Sequence, residues 1–249
     1  MSRHTDFPGP EGARTRGTVV VVPGRGETRA SYARLGARLA AEAYRVRVID
    51  GPQVGTDDVE SSVDRFAAEL SDALPELVRP LVLLGADTGA AVVEALLERQ
   101  DTTAPWWPEA AVLAGLPGPG TAATGTWDEE LDVRTTCPVH REVLTADSGV
   151  ERGALAVALP DALTDLTAGA AVEVPRLVLV GDEDPLADRA GLTSAVKAWP
   201  RARLSVVRGA HHDVLNDRQH RSVAAEVVSF LEVLGNELVP VISVESSTW

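Results

Sequence analysis

Two aspartates and a histidine follow strand-like runs of this sequence in an order that suits hydrolytic chemistry. Asp87 stands at the centre of a GADTG run, Asp184 ends a GDED run, and His212 lies in an AHHD run. A carboxylate, a histidine and a second acid that orients the histidine can together attack a substrate and move a proton. Asp182 is the reserve choice for the second acid.

The GADTG run around Asp87 lies between an apolar run and a helical pattern. Residues 81–85 read LVLLG, which is typical of a buried strand, and residues 88–100 have the composition of a helix. Small residues on both sides of such a turn permit a strained elbow that lifts the central side chain above the sheet. The alternative is that Asp87 merely caps the helix, where a carboxylate is favourable without any catalytic role.

The elements that would position these residues alternate between strands and helices. Strands are predicted at residues 17–23, 45–50, 81–85, 110–115, 176–181 and 203–207, and helices at residues 29–44, 57–74, 88–100, 186–198 and 220–235. This alternation predicts an α/β protein with one mostly parallel sheet of about six strands and helices on both faces. Functional residues of such a sheet lie beyond the carboxyl ends of its strands, where Asp87, Asp184 and His212 are expected.

The chain has 249 residues, 45% of them hydrophobic, which is enough for one sizeable core. Residues 1–16 are polar and rich in Gly and Pro, so we predict a flexible arm there and a single domain over residues 17–249. The long stretch at about residues 117–173, after the fourth strand, is predicted to be a cap insertion. Because the first residues lack the apolar run of a signal peptide, we expect a cytoplasmic protein.

The formal net charge of −14 disfavours partners that are themselves anionic. It repels phosphate backbones and anionic lipids, so we expect no nucleic-acid partner, and no apolar stretch approaches the ~18 residues of a membrane span. A small-molecule substrate is the expected partner. Trp106 and Trp107 precede the fourth strand at its amino end, where they would pack or form an interface, and a homodimer could use them.

The chain resembles the α/β hydrolases, because Asp87, Asp184 and His212 follow the order nucleophile, acid, histidine of that family. The HDVLN segment that begins at His212, with the helix after it, is similar to monoglyceride-lipase and lysophospholipase-like members. The resemblance covers roughly residues 17–234 and selects His212 over His211 as the catalytic histidine. The amino-terminal strands of fuller members have no counterpart in the sequence, so we expect a reduced sheet.

The resemblance also places an oxyanion-binding loop after the first strand, in the sequence PGRGE. It assigns the hydrogen-bond donors to the backbone amides of Arg25 and Thr88, and Gly24 lets the loop approach a substrate oxygen. Family members typically have His-Gly here, so Pro23 is a departure. Arg25 could also bring a positive side chain to the pocket mouth, or the loop could simply link strand to helix.

Most α/β hydrolases carry a serine at the elbow, whereas an aspartate there attacks saturated carbon, as in dehalogenases and epoxide hydrolases of this fold. Their leaving-group donors are missing, since Thr88 rather than Trp follows Asp87 and both tyrosines, Tyr32 and Tyr44, precede the elbow. We therefore predict a small-molecule hydrolase of an ester, lactone or other bond that needs no cofactor. Asp87 would be its nucleophile, or an electrostatic element while His212 with Asp184 activates water or takes a proton from the substrate. Dehalogenation or epoxide opening through Asp87, and an inactive binding or scaffold protein, remain alternatives.

The cap sequence RTTCPVHR concentrates unusual residues, including the only cysteine of the chain. Cys137 and His140 are too few ligands for zinc, so no metal site is predicted, and Pro138 argues against a simple helix between them. A packed cap with a buried cysteine is the ordinary interpretation. Arg134 or Arg141 could contact an anionic group of the substrate.

Overall fold

Seven strands form one sheet in the computed structural model of the protein, which describes residues 4–55, 58–75, 77–122 and 125–248. The strands are β1 His4–Phe7, β2 Thr18–Val22, β3 Arg45–Ile49, β4 Leu81–Ala86, β5 Ala110–Ala114, β6 Arg176–Gly181 and β7 Ala202–Val207. Their spatial order is β1-β3-β2-β4-β5-β6-β7, and every neighbouring pair is parallel except β1 with β3. The prediction of a mostly parallel α/β sheet is confirmed.

β1 corrects the expectation of about six strands, because residues 4–7 fall in the predicted arm. This strand pairs antiparallel with β3, from His4 opposite Ile49 to Phe7 opposite Val46. Its sequence HTDF is short, polar and partly exposed at the sheet edge, so it lacks the apolar run that marks the other strands. Residues 1–3 of the predicted arm, Asp57 of the predicted second helix and two residues of the predicted cap lie outside the described residues.

Helices cover both faces of the sheet and explain why its central strands are largely apolar and buried. They are α1 Ala33–Ala41, α2 Val59–Asp72, α3 Thr88–Glu98, α4 Trp127–Arg134, α5 Pro138–Ala146, α6 Asp161–Thr164, α7 Arg189–Ala198 and α8 His220–Leu234. One buried cluster joins the sheet to α2, α3 and α7, and the other joins it to α1 and α8. All five residues of β2 are buried because alternate valines enter each cluster.

The segment between β5 and β6, which corresponds to the predicted cap, contains α4, α5 and α6. The expectation that Pro138 prevents a helix is wrong. Pro138 occupies the first turn of α5, where a missing N–H costs nothing because the first helical amides have no partner within the helix. His140 therefore lies on a helix. None of the helices in the described part of the chain is long and apolar enough to cross a membrane.

Trp106 and Trp107 lie side by side, with ring centroids 6.1 Å apart. Trp106 is buried in the cluster with α2, α3 and α7, and Trp107 is partly buried against the same cluster. Both therefore pack in the fold. The homodimer stays a prediction.

The strand order reverses beside β2, and this places two loops next to each other. From β2 the chain crosses to β3 on one side and then returns to β4 on the other. The carboxyl ends of β2 and β4 are neighbours in a parallel pair, so the loop at Arg25 and the turn at Asp87 meet above the sheet. Open α/β sheets form their ligand sites at such a reversal.

Candidate functional site

Asp87 lies in a strained turn between β4 and α3, with φ +46° and ψ −118°. A Cβ on Gly85 would lie 2.5 Å from the carbonyl oxygen of Gly89, and one on Gly89 would lie 2.4 Å from that of Val22. Both positions therefore require glycine, as the elbow interpretation predicts. The Asp87 side chain makes no capping hydrogen bond to α3, so the alternative that Asp87 merely caps the helix has no support in its contacts.

Replacing Gly89 by alanine is expected to lower the free energy of unfolding by about 1–3 kcal/mol, because the new methyl group overlaps backbone atoms of β2. Urea denaturation measures the loss. Gly120→Ala is the matched control, since a Cβ at Gly120 would have no neighbour within 4 Å. Equal stability of the two variants would contradict the tight contact at the elbow.

His212 bridges the two predicted acids. Its Nδ1 lies 3.1 and 3.0 Å from the carboxylate oxygens of Asp184, and its Nε2 lies 3.1 Å from Asp87 Oδ1. The first contact is a hydrogen bond, whereas the second is a charge contact without hydrogen-bond alignment. Asp182, the reserve acid, instead accepts a hydrogen bond of 2.5 Å from the Gly209 amide, and His211 faces Asp217.

Arg25 donates three hydrogen bonds to the Asp87 carboxylate. Its backbone amide donates to Asp87 Oδ2 at 2.8 Å, its Nε donates to the same oxygen at 2.9 Å, and its NH2 donates to Oδ1 at 2.9 Å. Thr88 contributes its hydroxyl, which donates to Oδ2 at 3.2 Å. The Gly24 amide points elsewhere, to Glu27 and the Tyr32 hydroxyl. Of the three residues predicted for the oxyanion and substrate-binding site, Arg25 thus bonds Asp87 through its backbone amide, as well as its side chain, and Thr88 does so through its hydroxyl.

The charges of this group are fixed by its neighbours. Burial alone would raise the pKa of Asp87, but the His212 contact and the charge of Arg25 outweigh it and hold the pKa well below its usual value. Burial alone would lower the pKa of His212, but Asp184 and then Asp87 raise it to about 10. At neutral pH an ionised Asp87 therefore faces a protonated His212.

A second buried polar cluster lies beside the elbow and was not predicted from the sequence. His140 Nε2 lies 3.0 Å from Asp213 Oδ2 and 3.8 Å from Glu27 Oε1, and the Tyr32 hydroxyl donates to Glu27 Oε2. One ligand atom each from Glu27, His140 and Asp213 lies within 4.8 Å of the others, a spacing that could hold a metal ion. Arg134 NH1, 3.6 Å from Asp213 Oδ1, already brings a positive charge there.

Glu27 is the member of this cluster whose pKa is raised to near neutral pH. Its side chain is only 3% exposed, and burial, with the nearby Asp213 charge, raises its pKa from 4.5 to about 7. The folded protein therefore keeps a proton on Glu27 that the unfolded chain loses at lower pH. This contribution to stability is complete below about pH 4.5 and disappears as the pH rises through about 7.

Glu27→Gln is expected to gain stability relative to the parent chain as the pH rises, because the amide never ionises. Between pH 5 and pH 8 the difference in unfolding free energy should grow by about 3 kcal/mol at most, the equivalent of the pKa shift. Urea denaturation of both proteins across this range measures it. A difference that stays constant with pH would show that Glu27 does not titrate in the folded protein.

The contacts of the two cap arginines, Arg134 and Arg141, differ from the expectation that one of them binds an anionic group of the substrate. Arg134 is 1% exposed, forms a 2.8 Å ion pair with Glu130 and donates to the Arg25 carbonyl. Arg141 pairs with Asp132 near the surface. The described structure thus commits Arg134 to holding the Arg25 loop and leaves Arg141 away from Asp87. Cys137 is buried, as predicted.

A cavity of about 300 Å³ opens between the elbow and the cap. Arg25 and Thr88 line it on the elbow side, and Glu151, Val157 and Leu159 line it on the cap side. Between Asp87 and His212 the free space is only about 10 Å³, roughly one water molecule. A larger cavity of about 430 Å³ lies between Pro117 and α7. Neither Asp87 nor His212 lines this cavity or the one of about 300 Å³.

Comparison with known proteins identifies the family. The Hydrolase_4 family, described as serine aminopeptidase S33, matches residues 13–219. No curated protein matches the chain.

Three solved structures with a similar fold are enzymes of related kinds. A soluble variant of monoglyceride lipase from Saccharomyces cerevisiae has a TM-score of 0.72 at 15% identity, covering 93% of this chain and 91% of that one. The monoacylglycerol lipase of Paleococcus ferrophilus has a TM-score of 0.67 at 18% identity, covering 93% and 98%. An esterase from Rhodococcus sp. has a TM-score of 0.66 at 21% identity, covering 93% and 94%. The chain therefore has the α/β-hydrolase fold and belongs to the Hydrolase_4 family of hydrolases.

Proposed function

We propose that the protein is a small-molecule hydrolase in which Asp87 replaces the usual elbow serine as nucleophile. His212 moves the proton and Asp184 orients it. The observation that carries the proposal is the division of the Asp87 oxygens: Oδ2 accepts from the Arg25 amide, and Oδ1 lies 3.1 Å from His212 Nε2. One oxygen is held as a carbonyl oxygen would be in the oxyanion site, and the other faces the proton donor.

In the first step, Asp87 Oδ1 attacks a saturated carbon of the substrate, and the bond from that carbon to its leaving group breaks. The leaving group departs with the bonding electrons as an anion, and His212 Nε2 loses its proton to that anion when it is basic or to solvent when it is not. The products of this step are an ester on Asp87, the released leaving group and neutral His212. The charge of Asp87 helps to raise the pKa of His212. Esterification removes that charge and so lowers the pKa, which lets His212 stay neutral.

In the second step, water attacks the carbonyl carbon of the Asp87 ester while His212 Nε2 takes a proton from that water. Negative charge develops on Oδ2, which the Arg25 amide already binds at 2.8 Å. Collapse releases the alcohol and restores ionised Asp87 and protonated His212. The sum is hydrolysis of one bond by one water, with no cofactor required.

The bond that breaks joins a saturated carbon to its leaving group, and the substrate can be an ester, a lactone or another compound with such a bond. Dehalogenation and epoxide opening receive less support. Thr88 follows Asp87, the Tyr32 hydroxyl is bound to Glu27, and Tyr44 lies beneath Arg16. The cytoplasmic location remains part of the same proposal.

A second candidate function, ligand binding without turnover, is favoured by one observation. The guanidinium of Arg25 covers both oxygens of Asp87, and the free space beside His212 is about 10 Å³. An attacking carboxylate must be released from this arginine, whereas a binding protein has no such requirement. A buried ion pair of this kind can persist without catalysis.

Trapping the ester distinguishes the two functions. His212→Ala should stop the second step but not the first when the leaving group departs as a stable anion, so incubation with a panel of alkyl esters, lactones and halides is expected to leave an adduct on Asp87. Intact-protein mass and peptide mapping measure it. His211→Ala, which changes the neighbouring histidine that faces Asp217, should accumulate none. Absence of an Asp87 adduct with every compound that binds would favour the non-catalytic function.

A further inference from the structure

We propose that Arg25 is the binding residue for a carboxylate group of the substrate, and that this group releases Asp87 by taking its place on the guanidinium. The inference that the substrates are anionic rests on the proposed attack by Asp87. The inference that Arg25 binds a carboxylate is independent of that attack.

The contact between Arg25 and Asp87 has the geometry of a carboxylate-binding site. Nε donates to Oδ2 and NH2 donates to Oδ1, each at 2.9 Å, so two parallel hydrogen bonds join the planar groups. Arginine binds carboxylates in this bidentate manner with high geometric specificity. Asp87 is thus the internal occupant of a site that any small carboxylate fits.

Burial makes this exchange favourable for an anion and costly for a neutral molecule. The side chain of Arg25 is 9% exposed and that of Asp87 is 6% exposed. Separating them for attack leaves a buried guanidinium without a counter-charge, which costs far more than breaking a pair on the surface. A substrate carboxylate replaces the lost partner, whereas a neutral substrate does not.

The position of Arg25 connects this site to the cavity of about 300 Å³. Among the described residues that line the cavity, Arg25 is the one cationic side chain, beside the acids Glu27 and Glu151, so it is the group there that can attract an anion. Its NH1 donates to the Val157 carbonyl of the cap at 2.6 Å, which anchors the guanidinium between cap and elbow. A small molecule whose carboxylate binds the guanidinium would therefore have its other end in this cavity, which Thr88 of the elbow also lines.

The two cap arginines considered earlier do not offer an equivalent site. Arg134 is 1% exposed and already paired with Glu130, and Arg141 pairs with Asp132 near the surface. Neither lines the cavity beside Asp87.

Propionate binding tests the proposal without any turnover. In Asp87→Ala the internal carboxylate no longer competes with propionate for Arg25. Propionate is therefore expected to bind this variant at least about 10-fold more tightly than the parent chain, which is the gain expected from a hydrogen bond between charged groups. Propionamide, its neutral counterpart, should show no gain. Isothermal titration calorimetry measures both ligands, and Asp87→Asn serves for the same comparison if Asp87→Ala does not fold.

Two double variants locate the bound anion. Asp87→Ala with Arg25→Gln should lose the gain, and Asp87→Ala with Arg141→Gln should retain it. Equal propionate affinity in the parent chain and Asp87→Ala, or full binding after Arg25→Gln, would overturn the proposal. Propionate binding through Arg25 together with no trapped ester would support this anion site and count against the proposed hydrolysis.

Discussion

Replacing Asp87 by asparagine is expected to lower turnover at least about 1,000-fold, because an amide cannot form the ester through which the reaction is proposed to run. The fold should persist, since an asparagine keeps the size of the side chain in the turn. Steady-state kinetics on a compound found to be hydrolysed, with circular dichroism as the check on folding, measure the effect.

The pKa of His212 provides a second readout of the same variant. Asp87 is one of the anions that raise this pKa to about 10, so Asp87→Asn should lower it. Titration of the histidine ring by NMR measures the shift. Asp182→Asn is the matched control, because Asp182 contacts the Gly209 amide rather than His212 and should keep both turnover and the high pKa. Loss of activity equal to that of Asp87→Asn would contradict the assignment.

Replacing Arg176 by methionine is expected to lower the free energy of unfolding by about 3–5 kcal/mol, because it leaves a carboxylate buried without its counter-charge. Arg176 is fully buried, forms an ion pair with Glu94, donates to the Gly169 and Val172 carbonyls at 2.8 and 3.1 Å, and lies 3.9 Å over the Trp199 ring. Urea denaturation at pH 7 measures the loss.

Two comparisons show that the loss comes from the buried charge. The double variant Arg176→Met with Glu94→Met should recover much of the stability, since it removes both charges together. Arg203→Met, on the neighbouring strand, removes an arginine that is 40% exposed and should cost less than about 1 kcal/mol. Similar losses in Arg176→Met and Arg203→Met would refute the role of this ion pair.

The sequence predicts the fold best where both faces of a strand are covered. The runs at β2 and β4 are apolar at nearly every position, so their assignment needs no knowledge of their neighbours. β1 escapes the same reasoning because its HTDF sequence is short and polar and its pairing partner, β3, is about forty positions away. Pro138 misleads because a proline that ends one helix can equally begin another.

The sequence also predicts some contacts of the candidate site better than others. Asp87, Asp184 and His212 each follow a strand, so the order of the strands is enough to bring them together. The clamp of Arg25 on Asp87 and the Glu27–His140–Asp213 cluster depend on which way side chains turn after distant loops meet. Residue types signalled them only weakly: His140 drew attention as part of an unusual cap sequence, and Glu27 shared a loop with Arg25.

The central claim, that Asp87 forms an ester which water then opens, is tested most directly by one turnover of the unaltered protein in water enriched in oxygen-18. With protein in excess over a hydrolysed substrate, the product should carry unlabelled oxygen from Asp87, and the peptide that contains Asp87 should gain the label. Mass spectrometry measures both. Label found only in the product, with Asp87 unlabelled, would show that water attacks the substrate itself and would contradict the account.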